Sequence, residues 1–358
     1  MKNPYAGGAE VVNEQLAKRL VADGHEVIFL VRTFRGAADE ELVDGYKVVR
    51  MGNHHTVYWE AYKYYRKHLV GWADLVIEGV NTIPFFCNFY VKEKNILFFH
   101  QLCREIWFYE LGYIKGLVGY VLESIYLFFL GRRAVVTVSK STKQDLGKFG
   151  FPHHLIHIIS QGTEIDPVPD ISLIQKYARP TILSLGALRP MKRTDNIVRA
   201  FELAKANIHD LELVIAGDTT GKYGAKVLAQ VAASPYRDSI RCLGRVSREK
   251  KVELMQRSHF LAVTSVKEGW GLVVTEANSQ GTPAVVYDID GLRDSVKHGE
   301  TGLISPENNP AALSAMLQQG LENRAVYENM RQAAWQWSKA ITFDRQYEDF
   351  KAVIGKWK

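Results

Sequence analysis

The residues best equipped for chemistry crowd into one run, His259–Asp290, with the sequence HFLAVTSVKEGWGLVVTEANSQGTPAVVYDID. Glu268 and Glu276 bracket Gly269 and Gly271 there. Glycines where a strand hands over to a helix let backbone N–H groups approach a ligand, and the helix start adds partial positive charge. That favours an anion, most simply a diphosphate, with Glu268 in the turn and Glu276 inside the helix on either side of it. Cations come earlier, in Gly186-Ala-Leu-Arg-Pro-Met-Lys-Arg, where Lys192 and Arg193 follow one apolar run and precede a helical pattern. A cation at a helix start is locally unfavourable, which calls for a reason such as a bound anion. Both side chains are expected to project into a cleft.

Positioning these groups requires a strand before the turn and another after the helix. Phe260–Thr264 and Ala284–Tyr287 are short apolar runs without alternation, as in a parallel sheet covered on both faces. Upstream, strands at Thr181–Leu185, Leu211–Ala216 and Ile240–Leu243 alternate with helices at Thr194–Ala206, Tyr223–Ala233 and Ser247–Gln256. Alternation of this length implies right-handed βαβ crossovers and ligand binding at the C-terminal ends of the strands. The first half reads similarly. A helix is expected over Gly8–Ala22, with strands at His25–Arg32, Tyr46–Met51, Asp74–Glu78, Ile96–Phe99, Ala134–Ser139 and Leu155–Ser160 and a short helix at Thr142–Phe149. Gly, Pro and acidic residues gather in Gln161–Asp170, which marks a domain boundary. The fold class is therefore α/β, with two Rossmann-like domains and a cleft between them.

The bulk properties suit that reading. A chain of 358 residues, 47% hydrophobic and 23% charged, can bury two cores. A net charge of +6 is compatible with phosphorylated ligands or an anionic membrane surface. Without a Lys/Arg block, no nucleic-acid partner is expected. Three scattered cysteines without metal-ligand spacing argue for a reducing compartment and against a zinc site. Met1-Lys2-Asn3-Pro4 leads into glycines rather than an apolar run, so no signal peptide is expected. The cytoplasm is the expected location. Trp107–Leu130 is strongly apolar, but Lys115 and Glu123 interrupt it, which predicts a buried or interfacial helix rather than a span. Thr56–Val70 mixes aromatic and basic residues. It reads as a surface helix with inward aromatics or as a membrane-surface contact.

Glu-Gly-Trp-Gly-Leu, then Thr-Glu-Ala, Gly281-Thr-Pro283, Gly291–Val296 (GLRDSV) and His298–Leu303 (HGETGL) together resemble the E-x7-E signature of retaining GT-B glycosyltransferases of the family 4, or group 1, type. The resemblance implies transfer of a sugar from a nucleoside-diphosphate-sugar to an acceptor with retention. The donor serves as co-substrate, with no cofactor and no metal. It places Lys192 on the diphosphate, Glu276 on the ribose hydroxyls and Glu268 near the transferred sugar, with N–H groups of Gly271 and Leu272 on phosphate or sugar. Arg245 and Val246 fall in the base-contacting loop, His100 near the donor sugar, and Gly7 and Gly8 near the phosphate or acceptor. Lys192, Glu268 and His100 form the expected catalytic group. Where the family usually has an arginine after the glycine, this chain has Ala187, and Arg189 is the expected substitute, with Arg193 as a further donor contact.

The family pattern divides the chain into an acceptor-side domain (1–165), a nucleotide-sugar domain (166–340) and a helix returning to the first domain (341–358). In the family a strand also precedes the Gly-Gly loop. This sequence lacks it, which leads us to expect further chain ahead of Met1 or a weakened first domain. Asp288-Ile-Asp290 imitates a metal motif of another glycosyltransferase fold and reads here as a turn. The expected partners are a glycan or lipid-linked acceptor and peripheral contact with an anionic membrane at its inner face, in cell-envelope glycan or glycolipid synthesis. A nucleotide-sugar epimerase of the same fold and a non-catalytic subunit that binds nucleotide-sugar or lipid are the alternatives.

Overall fold

The computed structural model describes residues 7–357. The Asn3–Ala6 part of the expected opening loop lies outside the described residues, as does any strand ahead of it. The first domain contains α1 (Gly8–Ala22), β1 (Ile28–Arg32), β2 (Glu40–Val43), β3 (Tyr46–Met51), α2 (Val57–Tyr64), β4 (Leu75–Val80), β5 (Lys94–Phe99), α3 (Ile106–Leu111), α4 (Tyr113–Leu130), β6 (Val135–Thr137), α5 (Lys140–Lys148) and β7 (Ile156–Ile158). Its strands form two sheets, ordered β1-β3-β2 and β4-β5-β6-β7. Among the described residues β1 pairs only with β3, and β4 only with β5.

Several local features depart from the expectations for physical reasons. β2 was not anticipated. It is an antiparallel hairpin partner of β3, closed by Asp44 and Gly45, both at positive φ. An Asp-Gly turn between strands is the signal that could have revealed it. The apolar region Trp107–Leu130 is two helices, because Gly112 breaks it at φ +75°. The helix expected at Thr142–Phe149 starts at Lys140, where the Ser139 hydroxyl accepts the Thr142 N–H at 3.2 Å. A capping serine satisfies one of the free N–H groups of a first turn.

The second domain runs β8 (Thr181–Leu185), α6 (Thr194–Lys205), β9 (Glu212–Ala216), α7 (Gly221–Ala233), β10 (Ile240–Gly244), α8 (Arg248–Arg257), β11 (Phe260–Val263), α9 (Leu272–Ser279), β12 (Ala284–Tyr287), α10 (Leu292–Ser295), β13 (Gly302–Ser305), α11 (Pro310–Glu322) and α12 (Arg324–Ser338). All six strands are parallel in the order β10-β9-β8-β11-β12-β13. The order reverses between β8 and β11. At such a switch point the loops leaving two adjacent strands diverge and open a crevice. The loops that diverge here carry Lys192 and Glu268.

Finally, α13 (Phe343–Ile354) joins the core of the first domain, where Phe343, Tyr347 and Phe350 pack with Val12, Leu16 and Phe98. Polar contacts fix it: Asp349 accepts the Ser160 N–H at 2.8 Å, and the Tyr347 hydroxyl donates to Asp23 at 2.9 Å.

Candidate active site

The turn after β11 delivers Glu268 and ends at Gly271, whose φ of +91° starts α9 in a left-handed conformation. A Cβ on Gly271 would press on Leu292 at 2.7 Å, so the turn closes only with glycine there. On the other side of the cleft Gly7 precedes α1, its N–H satisfied by Glu10 at 2.9 Å. The two helix starts meet: a Cβ on Gly8 would lie 2.5 Å from the Leu272 side chain. Two helix N-termini in contact concentrate free N–H groups and positive potential at one place. The backbone of Gly269 lies against the His100 carbonyl, so the Glu268 turn and the end of β5 also touch.

Lys192 and Glu268 are brought together, Nζ to Oε1 at 2.5 Å, and the Ser265 hydroxyl donates to the same oxygen at 2.6 Å. An anion placed at the helix starts would compete with Glu268 for this lysine. Arg189 is half-exposed and reaches across the cleft to Glu110 of α3 at 3.2 Å. Arg193 differs from the expectation that it projects into the cleft. It sits at φ +49°, and its guanidinium donates to the carbonyls of Thr264 and Ser265, both at 2.6 Å, and covers the Tyr287 ring at 4.8 Å. It braces the end of β11. The cause is tertiary: those carbonyls lie beyond the end of β11 and need a donor.

Glu276 is 8% exposed, and its Oε2 accepts from Lys251 of α8 at 2.7 Å. Burial raises its pKa, with Lys251 pulling in the opposite direction. A carboxylate in this position is under-solvated, and hydroxyl donors from a ligand would relieve it. Arg245 and Val246 lie in the loop after β10, next to Gly244, whose carbonyl accepts the Gly217 N–H at 2.8 Å. In the sheet β9 separates β10 from β8, the strand that leads to Lys192. His100 is 7% exposed, stacked on Phe98 with centroids 4.3 Å apart, and its Nε2 is buried without a partner. Burial pulls its pKa down to about 4, so the ring is neutral at ordinary pH, and Nε2 donates or accepts a hydrogen bond according to the tautomer.

Residues that the sequence did not single out complete the arrangement. Lys251, Ser265 and Glu110 partner the functional side chains, and no local spacing announces them. Asp294 of α10 accepts the N–H groups of Lys140 and Ser141 at 3.1 and 3.2 Å, fastening the second domain to the first turn of α5. Lys267 bridges Asp145 of one domain and Asp290 of the other. The two aspartates of the Asp288-Ile-Asp290 turn both engage Arg293. A polar cavity of about 360 Å³ beside this bridge is lined by Arg104, Lys148, Lys267 and Arg293 among others.

The family model described as Glycosyl transferases group 1 matches residues 173–337, and that described as Glycosyltransferase Family 4 matches residues 6–166. N-acetyl-alpha-D-glucosaminyl L-malate synthase of Bacillus anthracis is 25% identical over 96% of this chain and 93% of its own. O-antigen chain mannosyltransferase B of Escherichia coli is 25% identical over 74% of this chain and 71% of its own. The D-inositol 3-phosphate glycosyltransferase of Jonesia denitrificans is 27% identical, and the match spans about half the length of that relative (50%) and 55% of this chain. Among solved structures, sucrose-phosphate synthase from Thermosynechococcus elongatus superposes with a TM-score of 0.79 at 19% identity over 98% of this chain and 94% of its own. Anabaena HepE in complex with UDP and glucose gives 0.73 at 14% identity over 99% and 98%. These likenesses establish the GT-B fold.

Proposed function

From a chain of the group 1 and family 4 glycosyltransferase type, we infer an enzyme that moves a sugar from a nucleoside-diphosphate-sugar to an acceptor, with retention and without a metal. One observation carries this reading: two helix N-termini meet across the cleft beside a lysine–glutamate pair and a neutral, unpartnered histidine nitrogen. The helix starts and Lys192 receive the diphosphate, with Arg189 as the second cation, released from Glu110. Glu276 takes the ribose hydroxyls, and the loop at Arg245 and Val246 receives the base. Glu268, freed from Lys192, and His100 Nε2 bind hydroxyls of the transferred sugar. Positive charge gathers at the anomeric carbon as its bond to the diphosphate oxygen breaks, and preorganised groups around it lower the barrier. The acceptor oxygen attacks from the face the diphosphate leaves, and its proton passes to the departing phosphate oxygen.

UDP and glucose bound to a structural neighbour and the O-antigen role of a relative support a nucleotide-sugar donor and a cell-envelope glycan or glycolipid acceptor. Work at the inner face of the cell membrane is the setting that reading implies. A thermal-shift screen against UDP, GDP, ADP and their sugars tests the donor, since a cognate ligand at high saturation adds a few kcal/mol of stability. NMR of the product tests retention, and activity in a chelator tests metal independence. Absence of a shift with every nucleotide, an inverted product or strict manganese dependence each overturns the corresponding part. Release of free nucleoside diphosphate only when an acceptor is present separates transfer from epimerisation.

A further inference from the structure

Helix α4 is 18 residues long, about 27 Å at the usual rise, and apolar enough to cross a membrane by length and composition. It does not lie free, however. Gly116, Gly119, Glu123, Tyr126, Leu127 and Leu130 are buried against the first domain. The opposite side is bare: nine large apolar side chains are exposed, including Ile114 at 80% and Phe128 at 76%. At about 100° per residue eight of these run without interruption from Leu117 through Val121 and Ile114 to Leu122, an arc of roughly 140°, with Tyr113 beyond the half-buried Ser124. The only acid on the helix, Glu123, is at the centre of the buried half. Exposed Lys115 borders the bare arc, and exposed Arg132 follows its end. Ile83 and Phe89 are also exposed, on the segment whose Thr82 carbonyl and Phe86 ring contact Tyr126.

We propose that this face of α4 is a bilayer-docking surface, lying in the headgroup–acyl boundary of an anionic membrane with Lys115 and Arg132 on lipid phosphates. The arc is wider than the stripe of about 100° that a helix needs against a protein core, and wider still than a coiled-coil seam. A second helix would leave much of it wet, whereas a planar apolar medium covers all of it. The absence of acids from the arc and the cations at its border fit an anionic headgroup layer. Its other side is tied to the cleft. Glu123 accepts the N–H groups of Cys103 and Arg104 at 2.7 and 2.6 Å and the Trp107 indole at 3.0 Å, fixing the loop that leaves His100. Glu110 of α3 holds Arg189. Docking therefore brings the cleft to headgroup level, which deepens the envelope-acceptor part of the proposed function and rests on it for that consequence alone.

Flotation of the full chain tests this with vesicles of phosphatidylglycerol and phosphatidylcholine in equal parts and of phosphatidylcholine alone. The wild type floats with the mixed vesicles. The double variant V121E/I125E, on exposed helical positions, loses about 100-fold in partitioning, or roughly tenfold per apolar side chain. K115A/R132A loses about fivefold per cation on the mixed vesicles only. Failure of the wild type to float, or equal flotation of V121E/I125E, overturns the proposal. So does a stable dimer in sedimentation that the same glutamates dissolve, which would assign the face to a second copy. Nucleotide thermal shifts of these variants stay at the wild-type value. Flotation without any nucleotide shift would break the donor reading and leave the docking surface standing.

Discussion

The two α/β domains use the same strand–helix alternation and finish it differently. In the second domain one continuous sheet buries every residue of β11 and β12. In the first, the sheet is divided, β1 is only half-buried, and β4 alternates between buried and exposed. The same domain presents the bare face of α4. Strands buried on both faces hold the loops at their ends in fixed positions, which suits the grip on a constant chemical group such as a diphosphate. Open edges and uncovered helices make the first domain the more adaptable partner, suited to whatever acceptor or surface varies. Under the proposed function the work is unequally shared: the polar pairs Lys192–Glu268 and Lys251–Glu276 are in the second domain, while the first offers a helix start and a neutral histidine.

The sharpest break of that contrast would come from turnover. Glu276→Ala is expected to lower donor turnover about 100-fold with circular dichroism unchanged, whereas His100→Ala lowers it about tenfold or less, in line with losing a charged against a neutral hydrogen-bond partner. Comparable losses would mean that the domains share the donor equally. Packing gives the next largest difference. Phe260 is fully buried against Tyr327 at 5.4 Å, so Phe260→Ala should cost about 3–5 kcal/mol in denaturant unfolding. Phe29 on the half-buried β1 should cost about 1–2 kcal/mol as Phe29→Ala, because less apolar area is lost.

The junction between domains offers a smaller effect. Asp294→Ala leaves the Lys140 and Ser141 N–H groups without their acceptor and should cost about 1–3 kcal/mol. In calorimetry the first domain should then melt ahead of the second, and one unchanged transition would show that this clamp is dispensable. The last effect is in pH. His100 has a native pKa near 4, below the unfolded value of about 6.5, so the unfolded chain binds the extra proton in between. The stability it contributes is complete above about pH 6.5 and is lost as the pH falls towards 4. The wild type should therefore lose more melting temperature than His100→Gln between neutral pH and about pH 5. Equal losses would mean that the ring is solvated.

Much of the second domain was legible because β11 and β12 at its centre are unbroken apolar runs, a pattern that parallel sheets force on the chain. The turn from Glu268 to Gly271 was legible because a left-handed start to α9 demands glycine. The first domain was harder. β2 is charged and edge-like, β1 and β4 lack the burial that strengthens a strand signal, and the break at Gly112 hides within an apolar stretch. Arg193 shows the same limit in the site: its letter suggests a cation for a ligand, yet carbonyls beyond the end of β11 claim it.

By itself the amino-acid order determined the strand–turn–helix with glycine at the helix start and carboxylates at a fixed interval, because those signals act over a few residues of chain. Tertiary structure decided the rest. Only folding sets Lys192 against Glu268, Lys251 against Glu276 and the start of α1 against that of α9, since each pair joins elements that are separate along the chain. It also decided that Glu123 faces inwards and the apolar half of α4 faces out. Helical periodicity marks two faces, but what packs against each depends on the remainder of the chain.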